Sequence, residues 1–281
     1  MDETTTEAVA DWADCRVESV TELDGGQVGS VHRVDLADGR HVVVKTADTD
    51  LRTEAEMLAH LRSVGDLRVP EVYHVTADLL VMEFVSGDST VTPAVERDLA
   101  ERLAALHATD ADQFGFPFDT LTGKFQQPNP WTDDWATFFR DERLGHAAAC
   151  AREESVLPAD LADRLADIGD DLPHLLDHDP TPTLIHGDVW SANLLTDAQS
   201  VRAFLDPACY YADPEVELAY VEWSGVAGDA FFERYCEVAG VDAGYDERRH
   251  VYRLFPLLTH LRHFGREYLE PLDATLELLG Y

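Results

Sequence analysis

Four polar side chains occur at fixed spacing in the segment LIHGDVWSANLL, residues 184–195, and just beyond it. The first segment contains His186, Asp188 and Asn193, and Asp206 follows in FLDPACYY, residues 204–211. The intervening TDAQS predicts a turn near Gln199, so the apolar runs on either side are expected to pair as an antiparallel hairpin. In such a hairpin Asn193 and Asp206 would face each other, about 5 Å apart at their Cβ atoms. An amide oxygen and a carboxylate at that distance can share one hard cation such as Mg²⁺.

Asp188 lies five residues before Asn193 and can reach the same space without binding the cation. This set is similar to the catalytic loop of kinases, which has an aspartate, an asparagine five residues later and a second aspartate beyond it. The structural alternative is an Asx turn capped by His186, with Asp206 as a helix cap before Pro207. That alternative accounts for one aspartate, whereas four residues in this order and spacing favour phosphoryl transfer.

Phosphoryl transfer of this kind also requires a lysine on a strand, which holds the nucleotide phosphates. Lys45 ends the predicted strand HVVVK, and the chain has only one other lysine, Lys124. A buried ammonium needs a partner of opposite charge. We expect Glu54, on the helix predicted over residues 52–64, to be that partner, with Glu56 as the competing candidate. An exposed lysine at a strand end is the structural alternative for Lys45.

Two further segments are candidates for binding ATP. In DGGQVGS, the residues Gly25, Gly26 and Gly29 would let backbone N–H groups approach the phosphates. The spacing is not GxGxxG, and glycine pairs also form ordinary hairpins, so this pattern does not identify the loop by itself. In VMEFV, backbone groups of Glu83 and Val85 would hydrogen-bond adenine at a hinge between two lobes.

The periodicity of the apolar residues changes near residue 90. Up to that point strands dominate, whereas most later segments have helical spacing. Residues 114–131 are rich in proline, glycine and aromatic residues and are expected to form an ordered loop. We therefore predict a two-lobed α+β fold, with a β-rich nucleotide-binding lobe over residues 1–85. A larger, mainly helical lobe for catalysis and acceptor binding is expected over residues 86–281.

The formal charge of −34 results from 55 acidic and 21 basic residues. It argues against nucleic acids and anionic membranes as partners, because both attract basic surfaces. The acidic residues are scattered, as in a solvated surface shell. Together with the scarcity of lysine they resemble proteins of salt-loving organisms, in which salt screens the self-repulsion.

The four cysteines lie far apart and form no CxxC pair, which argues against a zinc site. The N-terminal MDETTTEAVADWADC lacks the basic and apolar regions of a signal peptide. No apolar run approaches the roughly 20 residues that span a bilayer. We expect a monomer in the cytoplasm.

The chain resembles the fructosamine kinase (ketosamine-3-kinase) family, within the larger group of aminoglycoside-phosphotransferase-like kinases. The similarity covers nearly the whole length and is carried by segments such as LVMEFV, QPNPWTDDWATFFRDERL, LIHGDVWSANLL and RLFPLLTHLRHFGREYL. Trp190, the pair Tyr210–Tyr211 and the C-terminal HLRHFG separate this family from choline kinases and antibiotic kinases. Val189 and Ala212 are mild departures from the family pattern, in which Leu and Gly are usual.

The resemblance implies a protein-kinase-like fold and ATP-dependent phosphorylation of a ketosamine at its 3-hydroxyl, a reaction linked to protein deglycation. It implies Asp188 as the base or orienting residue, Asn193 and Asp206 as Mg²⁺ ligands, and Lys45, paired with Glu54, as the phosphate ligand. The acceptor would lie against aromatic residues and a carboxylate that meets its amine. The candidates for this acceptor site are Trp190, Tyr211, Glu215, Trp223 and His260.

Three other functions remain open from the sequence. A kinase for another hydroxylated amine, such as an aminoglycoside or a choline analogue, would have an acidic acceptor site. A non-catalytic nucleotide-binding protein would be expected to lack Asp188 or Asp206, and both are present. A metal hydrolase built on His186 and Asp188 would need further clustered histidine ligands.

Overall fold

The fold was analysed in a computed structural model, which describes residues 1–23 and 29–281. A five-stranded antiparallel sheet, in the order β1-β2-β3-β5-β4, dominates the N-terminal part. Its strands are β1 (Val17–Glu22), β2 (Ser30–Leu36), β3 (His41–Thr46), β4 (Val72–Val75) and β5 (Leu79–Glu83). The helices α1 (Glu3–Ala13) and α2 (Leu51–Ser63) accompany the sheet.

One face of the sheet forms a small apolar core of its own. Val34, Val44 and Val81 alternate with residues of the other face and pack together with Val9 of α1. The opposite face joins the main core through Val43 and the buried side of α2. Asp50 caps the first turn of α2 by accepting a hydrogen bond from the backbone N–H of Arg52, which sets where the helix begins.

The remaining chain is mainly helical and holds the larger part of the apolar core. Its α-helices are α3 (Pro93–Leu106), α4 (Trp135–Phe138), α5 (His146–Glu153), α6 (Ala159–Leu175), α7 (Glu215–Ser224), α8 (Asp229–Val238), α9 (Tyr245–Tyr252), α10 (Leu254–Phe264) and α11 (Leu269–Leu279). A π-helix at Phe139–Gly145 and two 3₁₀-helices at Ser191–Asn193 and Arg266–Tyr268 complete the helical elements of the described residues. The predicted two-lobed α+β fold is confirmed.

Three short antiparallel strand pairs lie at the junction between the sheet and the helices. These strands are β6 (Thr120–Thr122), β7 (Phe125–Gln127), β8 (Thr183–Ile185), β9 (Leu194–Thr196), β10 (Val201–Phe204) and β11 (Tyr210–Ala212). They pair as β6 with β7, β8 with β11 and β9 with β10. The segment 114–131, expected to be an ordered loop, therefore contains a hairpin.

The hairpin of β9 and β10 forms as predicted, but its register is shifted by one residue. The N–H of Leu205 donates to the carbonyl of Asn193 over 2.9 Å, so Leu205 is the residue opposite Asn193. Asp206 follows, in the left-handed conformation at φ 46°. The difference arises at the turn, where Val201 pairs with Thr196, and a bulge between Val201 and Ala203 then changes the register by one residue within the hairpin.

None of the helices in the described parts of the chain is both long and apolar enough to cross a membrane.

Candidate active site

A cavity of about 530 Å³ lies between the sheet and the helical lobe. Lys45 and Glu54 line it from the sheet side, and Asp188, Asn193 and Asp206 line it from the helical side. Its far end is aromatic and is formed mainly by α7, α10 and the 3₁₀-helix after α10: Trp223, Phe255, His260, His263, Phe264 and Tyr268. The structure thus brings the residues predicted for catalysis and metal binding to one end of a single cavity: Lys45, Glu54, Asp188, Asn193 and Asp206.

Lys45 bridges the two sides of the charged end. Its Nζ lies 2.8 Å from Oε2 of Glu54 and 2.8 Å from Oδ1 of Asp206. Burial alone would lower the pKa of this ammonium, but the carboxylates of Asp206 and Glu54 outweigh it and raise the pKa above its ordinary value. Glu54 is buried, and desolvation raises its pKa. The lysine is therefore charged and held against the cavity by two carboxylates.

Asp188 is held by two hydrogen-bond donors. The hydroxyl of Tyr220 donates to its Oδ1 over 2.6 Å, and Nδ2 of Asn193 donates to its Oδ2 over 2.8 Å. Desolvation raises the pKa of Asp188 to about 7, although the hydrogen bond from Tyr220 acts in the opposite direction. A carboxylate whose pKa lies near neutrality is suited to accept a proton from a hydroxyl.

A buried carboxylate fixes the backbone immediately before Asp188. Oε1 of Glu217 accepts the N–H of Gly187 over 2.6 Å, and its Oε2 accepts the N–H of His186 over 3.1 Å. The ring of His107 lies 2.9 Å from the same Oε2, and its other nitrogen lies 2.7 Å from the hydroxyl of Tyr235. Glu217 is 1% exposed, so these contacts are made away from water. The backbone that carries Asp188 is anchored from helix α7.

Glycine is required at position 187 because the loop after β8 approaches the segment between β10 and β11 closely. It adopts φ 85°, and a Cβ at this position would lie 2.3 Å from the carbonyl oxygen of Ala208. A larger residue would push the loop away from the segment that follows Asp206. Glycine therefore keeps Asp188 and Asp206 on the same side of the cavity.

The side chains of Asn193 and Asp206 offer oxygen ligands suited to a hard cation. Nδ2 of Asn193 donates to the carbonyl oxygen as well as to Oδ2 of Asp188, which leaves Oδ1 as the atom able to bind a metal. Asp206 uses Oδ1 for Lys45 and is partly exposed, with 43% of its side chain accessible. An amide and a carboxylate oxygen at one cavity are a chemically suitable pair for Mg²⁺.

The candidate phosphate-binding loop is only partly described. Gly25 and Gly26 lie outside the described residues. Gly29 precedes β2, where a Cβ would lie 2.2 Å from the carbonyl oxygen of Thr46 at the end of β3. Only glycine allows the backbone to come this close to the strand that carries Lys45.

The candidate hinge lies at the C-terminal end of β5, outside the lining of the cavity. The N–H of Glu83 donates to the carbonyl oxygen of Glu71 over 2.8 Å. The side chain of Glu83 forms a bidentate ion pair with Arg68, at 2.6 and 2.8 Å. Val85 follows β5 and is half-buried. The N–H of Glu83 is thus committed to the sheet, and an adenine contact would have to use its carbonyl group.

Three of the five predicted acceptor residues line the cavity: Trp190, Trp223 and His260. The rings of Trp223 and His260 meet edge to face, with centroids 4.7 Å apart. Nδ1 of His260 lies 2.8 Å from the carbonyl oxygen of Pro256, so this nitrogen carries the proton. Burial lowers the pKa of His260, which keeps the ring neutral near pH 7.

Tyr211 and Glu215 do not line the cavity, and their assignment to the acceptor site is corrected. Residues of a strand alternate between two faces, so Tyr210 faces the cavity while Tyr211 points the other way. The hydroxyl of Tyr211 lies 3.2 Å from Nε2 of His60 on α2. Both oxygens of Glu215 accept hydrogen bonds from the guanidinium of Arg248, at 2.6 and 2.7 Å, and the side chain lies outside the lining of the cavity, so it does not face an acceptor amine there.

Sequence reasoning missed Tyr220, Glu217 and His263. Tyr220 and Glu217 lie three residues apart, one helical turn, on the same face of α7. That spacing is visible in VELAYVEW, but nothing in the sequence shows that this face meets the loop of Asp188. His263 contacts the tip of the β6–β7 hairpin, a pairing that the sequence does not indicate.

Comparison with known proteins shows that the chain belongs to an enzyme family. The sequence model described as fructosamine kinase matches residues 1–279. A Pasteurella multocida protein described as "Probable ketoamine kinase" is 35% identical over 234 residues, which cover 80% of this chain and 79% of that protein. A Vibrio cholerae protein with the same description is 31% identical, with 92% of both chains covered.

The fold is shared with solved structures. The crystal structure of a protein assigned as a fructosamine-3-kinase from Thermobifida fusca superposes with a TM-score of 0.88 at 27% identity, covering 99% of this chain and 98% of that one. An ADP-bound aminoglycoside phosphotransferase has a TM-score of 0.68 at 15% identity, covering 98% and 97%. The second likeness concerns the fold alone, and it confirms the kinase-like architecture predicted from the sequence.

Proposed function

Because the chain belongs to the fructosamine kinase family, and is therefore an ATP-dependent phosphotransferase that phosphorylates a ketosamine, we propose that the cavity around Asp188 is its active site. The supporting observation is the arrangement at the charged end. Asp188 is held by Tyr220 and Asn193, and Lys45 lies within 2.8 Å of Asp206 in the same cavity. A base and a phosphate-binding cation at one site are what transfer to a hydroxyl requires.

In the proposed reaction Asp188 accepts a hydrogen bond from the 3-hydroxyl of the ketosamine. The hydroxyl oxygen attacks the γ-phosphorus of ATP, the bond from that phosphorus to the bridging oxygen of ADP breaks, and the proton passes to Asp188. Lys45 binds phosphate oxygens and offsets their charge. The protein contributes chiefly by positioning these groups.

Asn193 and Asp206 would hold Mg²⁺. Bound there, the ion would neutralise phosphate charge. The hydrogen bond from Nδ2 of Asn193 to Asp188 would orient the amide for that role and position the base at the same time.

The nucleotide would enter from the sheet side. We propose that Gly25, Gly26 and Gly29 approach the phosphates through backbone N–H groups, and that Glu83 and Val85 present backbone groups to adenine. The close packing of Gly29 against Thr46 supports its part in this proposal, since a Cβ there would lie 2.2 Å from the strand's carbonyl oxygen.

The aromatic end of the cavity supports a ketosamine over an aminoglycoside as the acceptor. A polycationic aminoglycoside would need several carboxylates, whereas the described residues of this end are Trp223, Phe255, His260, His263, Phe264 and Tyr268. Burial lowers the pKa of both histidines, so neither carries a charge near pH 7. Aromatic faces can stack on a sugar and attract a single ammonium by cation–π interaction. Trp190 lines the same cavity close to Asp188.

The deciding experiment is a panel of acceptors with ATP and Mg²⁺. Fructosamine, ribulosamine and erythrulosamine adducts, free and protein-bound, are compared with an aminoglycoside and choline by ADP release, and the phosphate position is assigned by ³¹P–¹H NMR. We expect turnover of at least one ketosamine, with phosphate on the 3-hydroxyl. Turnover of the aminoglycoside or choline alone would contradict the proposed acceptor class.

The role of Asp188 is tested by Asp188→Ala, with Asp197→Ala as the matched control in the exposed turn of the adjoining hairpin. We expect ATP binding to be retained in both variants. Phosphoryl transfer should fall about 10²- to 10⁴-fold in the first variant only. Full turnover by Asp188→Ala would remove Asp188 from the role of base.

Phosphorylation at the 3-hydroxyl makes a ketosamine adduct unstable, which links the reaction to protein deglycation. We further propose that the enzyme is a monomer of a salt-rich cytoplasm and binds neither nucleic acid nor membranes. The net charge of −34 supports this environment and these exclusions.

A further inference from the structure

Three side chains far apart in sequence meet outside the cavity. His178 follows helix α6, Glu215 is the first residue of α7, and Asp242 lies between α8 and α9. One ligand atom from each lies within 4.8 Å of the other two. In the chain as described, residues 1–23 and 29–281, this is the one group of three or more His, Cys, Asp or Glu residues that meets this criterion.

His178 is the residue that distinguishes this group from a chance cluster of carboxylates. Its Nε2 lies 2.8 Å from Oδ2 of Asp213, a carboxylate that is 1% exposed. An ionised carboxylate accepts hydrogen bonds and cannot donate, so in the neutral ring Nε2 carries the proton and Nδ1 carries a lone pair. The side chain of His178 is 9% exposed, and its Nδ1 has no hydrogen-bond partner among the described residues.

The free nitrogen points toward the other members of the group. Nδ1 of His178 lies 3.8 Å from Oδ2 of Asp242, too far for a hydrogen bond. A histidine that donates one ring N–H to a carboxylate and presents its other nitrogen to further ligands is the usual arrangement around a protein-bound metal. Asp213 would then be the group that orients the ligand.

The negative net charge of the group also favours a bound cation. Asp213, Glu215 and Asp242 carry three negative charges against one positive charge on Arg248, a net −2 with His178 neutral. Arg248 occupies two acceptor positions of Glu215, but a carboxylate offers about four. Glu215 can therefore bind a metal through a remaining lone pair while it stays paired with Arg248.

We propose that Nδ1 of His178, together with the carboxylates of Glu215 and Asp242, binds a zinc ion in a structural site. An imidazole nitrogen with two carboxylate oxygens suits Zn²⁺, whereas Mg²⁺ and Ca²⁺ prefer oxygen ligands alone. Ligand atoms on tetrahedral Zn²⁺ lie about 3.3 Å apart, so the spacings of the group, 3.8 Å between His178 and Asp242 and at most 4.8 Å for every pair, must close on binding. Asp242 can move, because 76% of its side chain is exposed and it lies on a loop.

Such an ion would connect the loop after α8 to the N-terminus of α7. Helix α7 carries Glu217 and Tyr220, which hold the loop and the side chain of Asp188. The site does not depend on the phosphotransfer reaction or on its acceptor. The lack of CxxC pairs does not bear on it, since its ligands are histidine and carboxylates.

A proton is the competing occupant of Nδ1. The carboxylate of Asp213 raises the pKa of His178 although burial acts to lower it. A protonated ring would turn its second N–H toward Asp242, 3.8 Å away, and would reduce the net charge of the group from −2 to −1. The test must therefore distinguish a bound metal from an imidazolium ion.

The test uses the full chain with any purification tag removed, stripped with EDTA and measured at pH 7.5 in 1 M KCl to suppress non-specific binding. Titrations with Co²⁺ by visible absorption and with Zn²⁺ by calorimetry are carried out on the wild type, on Asp242→Asn and on Asp246→Asn. Asp246 lies on the next helix with 81% of its side chain exposed, which makes it the matched control. His178→Gln is a second ligand variant.

We expect one equivalent of metal in the wild type and in Asp246→Asn, with a Co²⁺ spectrum typical of low coordination number. The Kd should rise at least tenfold in Asp242→Asn, and Zn²⁺ should raise the Tm of the wild type but not of that variant. Equal Zn²⁺ affinity in Asp242→Asn and the wild type would overturn the proposal, as would the lack of a saturable single equivalent. Displacement of Zn²⁺ by an equal concentration of Mg²⁺ would also contradict it.

Discussion

The hydroxyl of Tyr220 donates to Oδ1 of Asp188 over 2.6 Å. One turn earlier on the same helix, Glu217 accepts the N–H groups of His186 and Gly187. Helix α7 therefore fixes both the side chain of the proposed base and the backbone that carries it. A displacement of α7 would therefore move Asp188, whereas Lys45 belongs to the sheet and would stay in place.

Replacing Tyr220 by Phe should shift the pH dependence of turnover. The pKa of Asp188 is raised to about 7 by desolvation, and the hydrogen bond from Tyr220 stabilises the ionised form. Removing that bond favours the protonated form, so the pKa rises further and the acid limb of kcat/KM moves to higher pH. A hydrogen bond to a charged group contributes about 1.5 kcal/mol, which corresponds to about one pH unit.

The measurement is kcat/KM of the ketosamine from pH 5.5 to 9 for the wild type and Tyr220→Phe. The active form is the carboxylate, so activity should fall as pH decreases through the pKa in both proteins. An acid limb at the same pH in both, or one shifted to lower pH, would show that Tyr220 does not set the ionisation of Asp188.

Replacing Glu217 by Gln should weaken both stability and turnover. The carboxylate accepts two backbone N–H groups and contacts His107, all within the protein interior. Gln can accept fewer of these bonds and carries no charge, so we expect a loss of about 3 kcal/mol in the free energy of unfolding. The kcat should fall while the affinity for ATP changes little. Urea unfolding and ATP titration measure the two effects.

Glu222→Gln is the control on the same helix. Glu222 pairs with Arg249 and Arg253 and is 29% exposed at its side chain, so its replacement should reduce the free energy of unfolding by about 1 kcal/mol or less. If both variants lose equal stability and both keep full kcat, the anchoring role of Glu217 is wrong.

The charged end of the cavity was predictable because its residues are close in sequence or follow a helical period. Asp188, Asn193 and Asp206 lie around one hairpin, so local geometry alone brings them together. On α2, Glu54 is buried and faces Lys45, whereas Glu56 is exposed on the other side of the helix. The preference for Glu54 agrees with its position next to the buried Leu51, Ala55 and Leu58.

The acceptor end was predictable only in part because its contacts are long-range. Glu215 was expected to meet an amine, but it pairs with Arg248, 33 residues later in the chain. Tyr211 was placed on the wrong face of a three-residue strand, too short to show which face is buried. The hairpin of β6 and β7 has no alternating pattern long enough to predict it.

High salt should stabilise the protein. The net charge of −34 produces self-repulsion, which is screened over about 10 Å at 0.1 M salt and about 3 Å at 1 M. We expect the Tm and the turnover to increase between 0.1 and 2 M KCl. The measurement is thermal unfolding in KCl, with sucrose of equal osmolarity as the control for effects unrelated to charge. Unfolding in molar KCl would contradict the assignment of the acidic shell to a saline cytoplasm.

The tip of the β6–β7 hairpin should control access to the acceptor end. Gly123 has φ 58°, and a Cβ there would lie 2.6 Å from Cε1 of His263, which lines the cavity. Gly123→Ala must displace either the hairpin tip or the ring of His263, and both movements change the shape of the aromatic end. We therefore expect the KM of the ketosamine to rise several-fold, while the KM of ATP stays unchanged because Lys45 and Asp206 are not disturbed.

Gly39 provides the matched control, since it has φ 87° in the turn between β2 and β3 and no described atom lies within 4 Å of a Cβ added there. Alanine at either position adopts a left-handed conformation that costs about 1 kcal/mol of stability. Backbone strain alone therefore predicts the same loss of Tm in Gly39→Ala and Gly123→Ala. A contact with the acceptor end predicts a change in ketosamine KM for Gly123→Ala only. If the two variants have the same KM, the hairpin tip does not shape the acceptor site.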